Sequence, residues 1–229
     1  MKYVNFVKYE DQELIVKTRP THFDYANRMR ERGKLALGGP LLDETGGRIG
    51  LIFIYEAASR EEAFDLAKND PFALSGALKS YEISEWLLRG LNLDLLIEAR
   101  DAAPENGAKK ANSRLFVNYA KYAPDGPKLA AVRPMHIEYD LALNEQRKLA
   151  VAGPFADDTG GLFAYHAATK NEAMSYLEAD PFATEDIFAE NEVFEWLIEG
   201  LNPELLIVDR PTQEITTSET QAAAAKPTN

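Results

Sequence analysis

Three histidines occur in this chain of 229 residues, and two of them share a setting. His22 lies in "RPTHFDY" at 19–25 and His136 in "RPMHIEY" at 133–139, 114 positions later. Histidine is the side chain whose unperturbed pKa, about 6.5, falls near neutrality, so each is a candidate proton acceptor. Two aspartates recur in the same way, Asp70 in "NDPFA" (69–73) and Asp180 in "ADPFA" (179–183). A carboxylate can orient an imidazole and stabilise its protonated form, the division of labour of a His–Asp pair. Structural readings stand beside these: a histidine that caps or packs at a helix start, and an aspartate before proline that serves as an N-cap. Arg19 and Arg133 are suited to holding a substrate carboxylate, or are exposed helix-start arginines. Tyr25 and Tyr139, three residues beyond each histidine, would lie near it on a helix surface and line a pocket or fill core.

Other chemistry is narrowed by composition. Cysteine is absent, which excludes disulfides, thiolate nucleophiles and sulfur-ligated zinc. His166 has no counterpart, because Glu56 occupies its aligned place, so no metal site is assigned. "GGP" and "TGG" form neither a Walker loop nor a dinucleotide fingerprint, and no cofactor is expected. The net charge of −12 leaves no basic footprint for nucleic acid and favours solubility. The start, "MKYVNFVKYEDQE", carries no signal-like apolar run, and no stretch reaches the roughly 20 apolar residues of a membrane span. A soluble, cytoplasmic protein with no membrane partner is expected.

The elements that must position these residues are themselves duplicated. Gly39-Pro40 faces Gly153-Pro154 and Gly46-Gly47 faces Gly160-Gly161 at the offset of 114. The offset then falls to 110, where Trp86 faces Trp196 and "GLN" (90–92) faces "GLN" (200–202), so the second copy is four residues shorter. Upstream, "VNFVKY" (4–9) resembles "VNYAKY" (117–122). This is duplication of a domain-sized unit. Its boundaries are read as 1–97 for the first repeat, 98–113 for an unpatterned linker, 114–210 for the second repeat, and 211–229 for a polar, alanine-rich disordered tail.

Each unit reads as βαββαβ. The first helix is expected from about Thr18 to Arg32, with Pro20 in its first turn and Gly33 ending it, so both histidines would feel the positive end of a helix dipole. Strands "KLALGGPLL" and "RIGLIFIYEA" form a hairpin around "DETGG". Ser59 with Glu62 and Thr169 with Glu172 fit the capping box of a second helix. The Gly-Pro pairs shape their strand, and the tryptophans pack beside the final one. The fold class is α+β: two ferredoxin-like repeats, each an antiparallel sheet with two helices on one face. Pairing the bare faces within the chain buries both, and further homo-oligomerisation remains open.

R-P-x-H opening the first helix, G-P in the next strand and D-P-F after the second helix, twice in the same order, resemble the YCII-related (YciI-like) family. The resemblance implies a dimeric α+β barrel, here supplied by one chain, with His22–Asp70 and His136–Asp180 at the positions of the family's His–Asp pair. It also implies small-molecule chemistry, including cofactor-independent lactone reactions and dehydrochlorination. The leading expectation is therefore a lyase or isomerase for a small carbonyl or lactone compound, with His as general base. The alternatives are a non-catalytic small-molecule binding module and a structural adaptor. The shortened second copy makes two equivalent pockets doubtful, with His22 favoured.

Overall fold

Alternation along the first strand sends Val4 and Phe6 to one face and Tyr3 and Val7 to the other, and both faces are buried. The computed structural model describes residues 1–102 and 114–207. The first repeat comprises β1 (Lys2–Tyr9), α1 (Gln12–Glu31), β2 (Leu35–Leu42), β3 (Arg48–Glu56), α2 (Arg60–Lys68), α3 (Pro71–Leu74), β4 (Leu78–Trp86), β5 (Gly90–Leu91) and α4 (Leu93–Asp101). The second comprises β6 (Arg114–Tyr122), α5 (Gly126–Glu145), β7 (Leu149–Pro154), β8 (Gly160–Ala167), α6 (Lys170–Glu178), α7 (Pro181–Thr184), β9 (Phe188–Trp196), β10 (Gly200–Leu201) and α8 (Pro203–Ile207). The antiparallel order is β4-β1-β3-β2 in one half and β9-β6-β8-β7 in the other. β2 pairs with β9, and Trp86 at the end of β4 bridges to Phe155 beyond β7, so the two sheets close on each other. The fold is an α+β barrel built from tandem ferredoxin-like repeats.

Val4, Phe6, Trp86, Val117, Tyr119 and Trp196 share one cluster between the sheets, where Phe6 and Tyr119 stack 4.3 Å apart. α1 to α3, and α5 to α7, pack against the opposite face of their own sheets in two further clusters. The seam explains the Gly-Pro pairs. Trp86 Nε1 donates to the Gly153 carbonyl at 2.9 Å and Trp196 Nε1 to the Gly39 carbonyl at 3.2 Å. A Cβ on Gly39 would stand 2.0 Å from the Leu197 carbonyl oxygen, and one on Gly153 2.0 Å from that of Leu87. Only glycine admits the partner repeat's backbone so closely.

Several sequence expectations need correction. α1 begins at Gln12, where the Asp11 carboxylate accepts from the Glu13 and Leu14 amides at 3.0 Å, so Pro20 lies inside the helix rather than in its first turn. α5 starts likewise at Gly126, capped by Asp125, with Pro134 inside. The hairpin register pairs Lys8 with Gly50 and Lys121 with Gly160, so Gly160 matches Gly50 and not Gly46. The four missing residues therefore fall in the β2–β3 turn. Glu98 to Asp101, expected in a linker, continue α4, whose Leu95, Leu96 and Ala99 join the inter-sheet core. The rest of the expected linker and the tail lie outside the described residues. The two "GLN" segments are cross-repeat arms: β5 pairs with β7 and β10 with β2. Among the described residues no helix is long and apolar enough to cross a membrane.

A chain ending at Ala102 would expose Val4, Phe6, Ile52 and Ile54 on a bare sheet. It is expected to dimerise or aggregate, as sedimentation would show. A stable, folded monomer would contradict the dependence of each sheet on the other.

Candidate functional site

Both histidines sit at mid-helix, ten residues after the first residue of a 20-residue α1 or α5. The helix-end potential expected from sequence therefore does not act on them, since it fades within the first turn. What fixes the ring is the turn after the second helix. Asp70 caps α3, its Oδ1 accepting from the Phe72 amide at 2.9 Å. The same carboxylate meets His22 Nδ1 at 2.8 and 2.9 Å. The Asp180 carboxylate does the same for the Phe182 amide at 2.7 Å and for His136 Nδ1 at 2.8 and 2.9 Å. The capping and pairing readings of these aspartates thus hold together. A carboxylate already accepting from an amide accepts a hydrogen bond from Nδ1–H as well, which leaves Nε2 as the lone-pair nitrogen of the neutral ring. Phe72 stacks on His22 at 3.9 Å and Phe182 on His136 at 3.8 Å, locking each ring from one side. All four residues of the two pairs are buried.

The repeats diverge beyond this shared frame. His22 lines a cavity of about 610 Å³, counting its open mouth, with Arg19, Ala26, Arg30, Arg48 and Phe53 among its walls. Glu199 and Gly200 of the second repeat close one side, where Arg48 pairs with Glu199 at 2.6 Å. His22 Nε2 has no hydrogen-bond partner, and neither Arg19 nor Arg30 has an ion-pair partner among the described residues. Phe53 lies nearly parallel to the ring, 5.6 Å away.

In the second repeat Asp140 occupies the place of Ala26, and its Oδ2 stands 3.4 Å from His136 Nε2. The ring is thus held at both nitrogens, by Asp180 and Asp140. Arg133, the counterpart of Arg19, is neutralised by Asp158 at 2.8 Å. Arg30 is replaced by Asn144, which is spent on the Leu149 carbonyl at 3.1 Å. His136, Asp140 and Asp180 bring three metal-capable groups within 4.8 Å. The two carboxylates address opposite ring nitrogens, Asp180 by hydrogen bonds to Nδ1 and Asp140 by an ion-pair approach to Nε2. Arg133 instead borders a separate surface hollow with Tyr122 and Asp158.

Tyr25 and Tyr139 do not line the cavity as expected of substrate-binding residues. Their hydroxyls donate to the Leu66 and Tyr176 carbonyls at 2.7 Å, tying α1 to α2 and α5 to α6. His166 borders a surface hollow with Lys148, Glu172 and Tyr176, away from His136. Asp140, Arg30, Arg48 and Glu199 were not singled out from sequence. The offset of 114 carried the signal for two of them, setting Ala26 against Asp140 and Arg30 against Asn144.

A YCII-related domain model matches residues 1–87 and again 115–197. The chain belongs to the YCII-related family. A stretch of 68 residues is 34% identical to the uncharacterised protein YjpA of Bacillus subtilis (strain 168), covering 30% of this chain and 74% of that one. The Emericella nidulans protein named "Derivative of benzaldehyde biosynthesis cluster protein C" is 34% identical over 74 residues, 29% of this chain and 76% of that one. Among solved structures, an anthrone oxidase-like protein superposes with a TM-score of 0.53 at 8% identity, over 86% of this chain and 90% of its own. That likeness concerns the barrel alone, with both YCII-related units inside it.

Burial raises the Asp140 carboxyl to about 7, opposed by the His136 charge and assisted by that of Asp180. Unfolded, the same carboxyl titrates near about 3.9. Between these values the folded chain keeps a proton that the unfolded chain has released. The stability this group contributes is therefore complete below about pH 4 and is lost as pH rises through about 7. Asp140→Asn is expected to flatten that decline in urea midpoints measured across the window. An unchanged slope would show that Asp140 does not carry it.

Proposed function

We propose that the first repeat holds a proton-transfer site for a small carbonyl or lactone compound, of the lyase or isomerase class and without need of a cofactor. The observation that carries this reading is the partner-free Nε2 of His22, in a cavity that also presents the unpaired Arg19 and Arg30. Nε2 removes a proton from the carbon beside the carbonyl, and the released electron pair moves onto the carbonyl oxygen as an enolate. Arg19 and Arg30, on the walls of the same cavity, supply positive charge toward it, and Asp70 stabilises the imidazolium. Collapse of the enolate then either returns the proton from Nε2 to a different carbon, which is isomerisation, or expels a leaving group, which is elimination.

Several features support the assignment. Phe23, Phe53, Phe72 and Tyr9 line the same cavity, which suits a flat, unsaturated substrate. One relative is named for a cluster that makes a derivative of benzaldehyde, itself an aromatic carbonyl compound. The Glu199–Arg48 pair brings the second repeat into the wall, so barrel closure and cavity formation are one event.

A panel of aromatic carbonyl acids and lactones, followed by NMR in deuterated water, would reveal proton exchange or turnover. His22→Asn keeps polarity but offers no base near neutral pH, and is expected to lower the rate roughly a hundredfold or more, the ordinary scale of general base catalysis. His136→Asn should change it by less than about threefold, because that ring lies outside the cavity. Near-normal turnover by folded His22→Asn, with circular dichroism unchanged, would remove base catalysis and leave ligand binding as the better account.

A further inference from the structure

The two repeats place an identical His–Asp frame in two surroundings, so one half can be read against the other. In the second, a buried carboxylate has been supplied by the chain itself. Asp140 projects from the α5 position that Ala26 holds in α1, and it ends 3.4 Å from the ring nitrogen that is free in the first repeat. The positive groups disappear in step. Where the first repeat has Arg19 unpaired, the second has Arg133 bound to Asp158, and where the first has Arg30, the second has Asn144. A site whose acidic group is built in needs no spare cations to receive an anion. A site that keeps two unpaired guanidiniums beside a buried histidine, in a chain of net charge −12, is built to receive one.

We infer that Asp140 is a permanent internal occupant of the second site, and that the ligand of the first cavity is an anion whose acidic oxygen takes the corresponding place above Ala26, accepting from Nε2–H of a protonated His22, with Arg19 and Arg30 lining the same cavity as its counter-ions. This rests on the proposed reading only in taking the cavity as the ligand site; it does not depend on turnover. It narrows the ligand to a carboxylate, or to an acidic enol or phenol ionised at neutral pH. It also makes the chain a one-site protein in spite of its two histidine pairs.

The test uses the full chain, histidine ring 15N NMR, and benzoate against its neutral counterpart benzamide. In the parent, benzoate should shift the His22 ring signals, leave those of His136 in place, and bind at least about tenfold more tightly than benzamide. Ala26→Asp should place a carboxylate against His22 as Asp140 does against His136, move the His22 signals toward those of His136, and reduce benzoate binding at least about tenfold. Arg30→Gln, which introduces no new bulk, should weaken benzoate and leave benzamide unchanged. In the other half, Asp140→Ala should make the His136 signals respond to formate, which matches the carboxylate removed, whereas the parent's do not. Equal affinity for benzoate and benzamide, or benzoate binding unaffected by both Ala26→Asp and Arg30→Gln, would overturn the inference. If benzoate binds as described and no substrate is turned over, the base-catalysis proposal fails alone. If a neutral carbonyl compound is turned over through His22 while benzoate does not bind, only the present inference fails.

Discussion

Neither sheet can leave its inner face in water, and the mutual burial of those faces is the constraint from which the rest of the molecule follows. Phe6 against Tyr119, and Trp86 and Trp196 each reaching a carbonyl of the opposite repeat, fill the space between the sheets with side chains. The cavity is accordingly displaced outward, beneath α1 and against the seam. There the second repeat supplies Glu199 and Gly200 to a wall that the first repeat cannot complete alone. Packing of the barrel interior and placement of the site are in this sense one problem with one solution.

The His–Asp contact shows how a short turn can serve both folding and chemistry. The aspartate accepts from the amide at the start of a four-residue helix and from an imidazole on a different helix. Its carboxylate is therefore held from two directions before any substrate arrives. Phe72 and Phe182, two residues on, press a phenyl ring flat against the same imidazole. The tripeptide D-P-F thus supplies orientation, backbone satisfaction and desolvation from three consecutive positions.

Much of this was legible before any coordinates. Repetition located both histidines and both aspartates, and the capping boxes located α2 and α6, because these signals depend on side chains acting within a few residues of themselves. The start of α1 was misread for a physical reason. Pro20 resembles a first-turn proline, but Ile15, His22, Tyr25 and Met29 form a buried stripe that outweighs the missing amide and carries the helix back to Asp11. The arms β5 and β10 were invisible because two-residue strands have no periodicity and exist only through the opposite repeat. Asp140 carries no repeat signal, because it stands where the two repeats disagree.

Joining the two halves covalently has a consequence for what the molecule was free to become. In a homodimer of single units every substitution is written twice, so a carboxylate that closes one site closes its twin. A tandem chain escapes that coupling. One half can keep an aspartate where the other keeps an alanine, and the barrel retains its balanced architecture while its two ends take up separate histories.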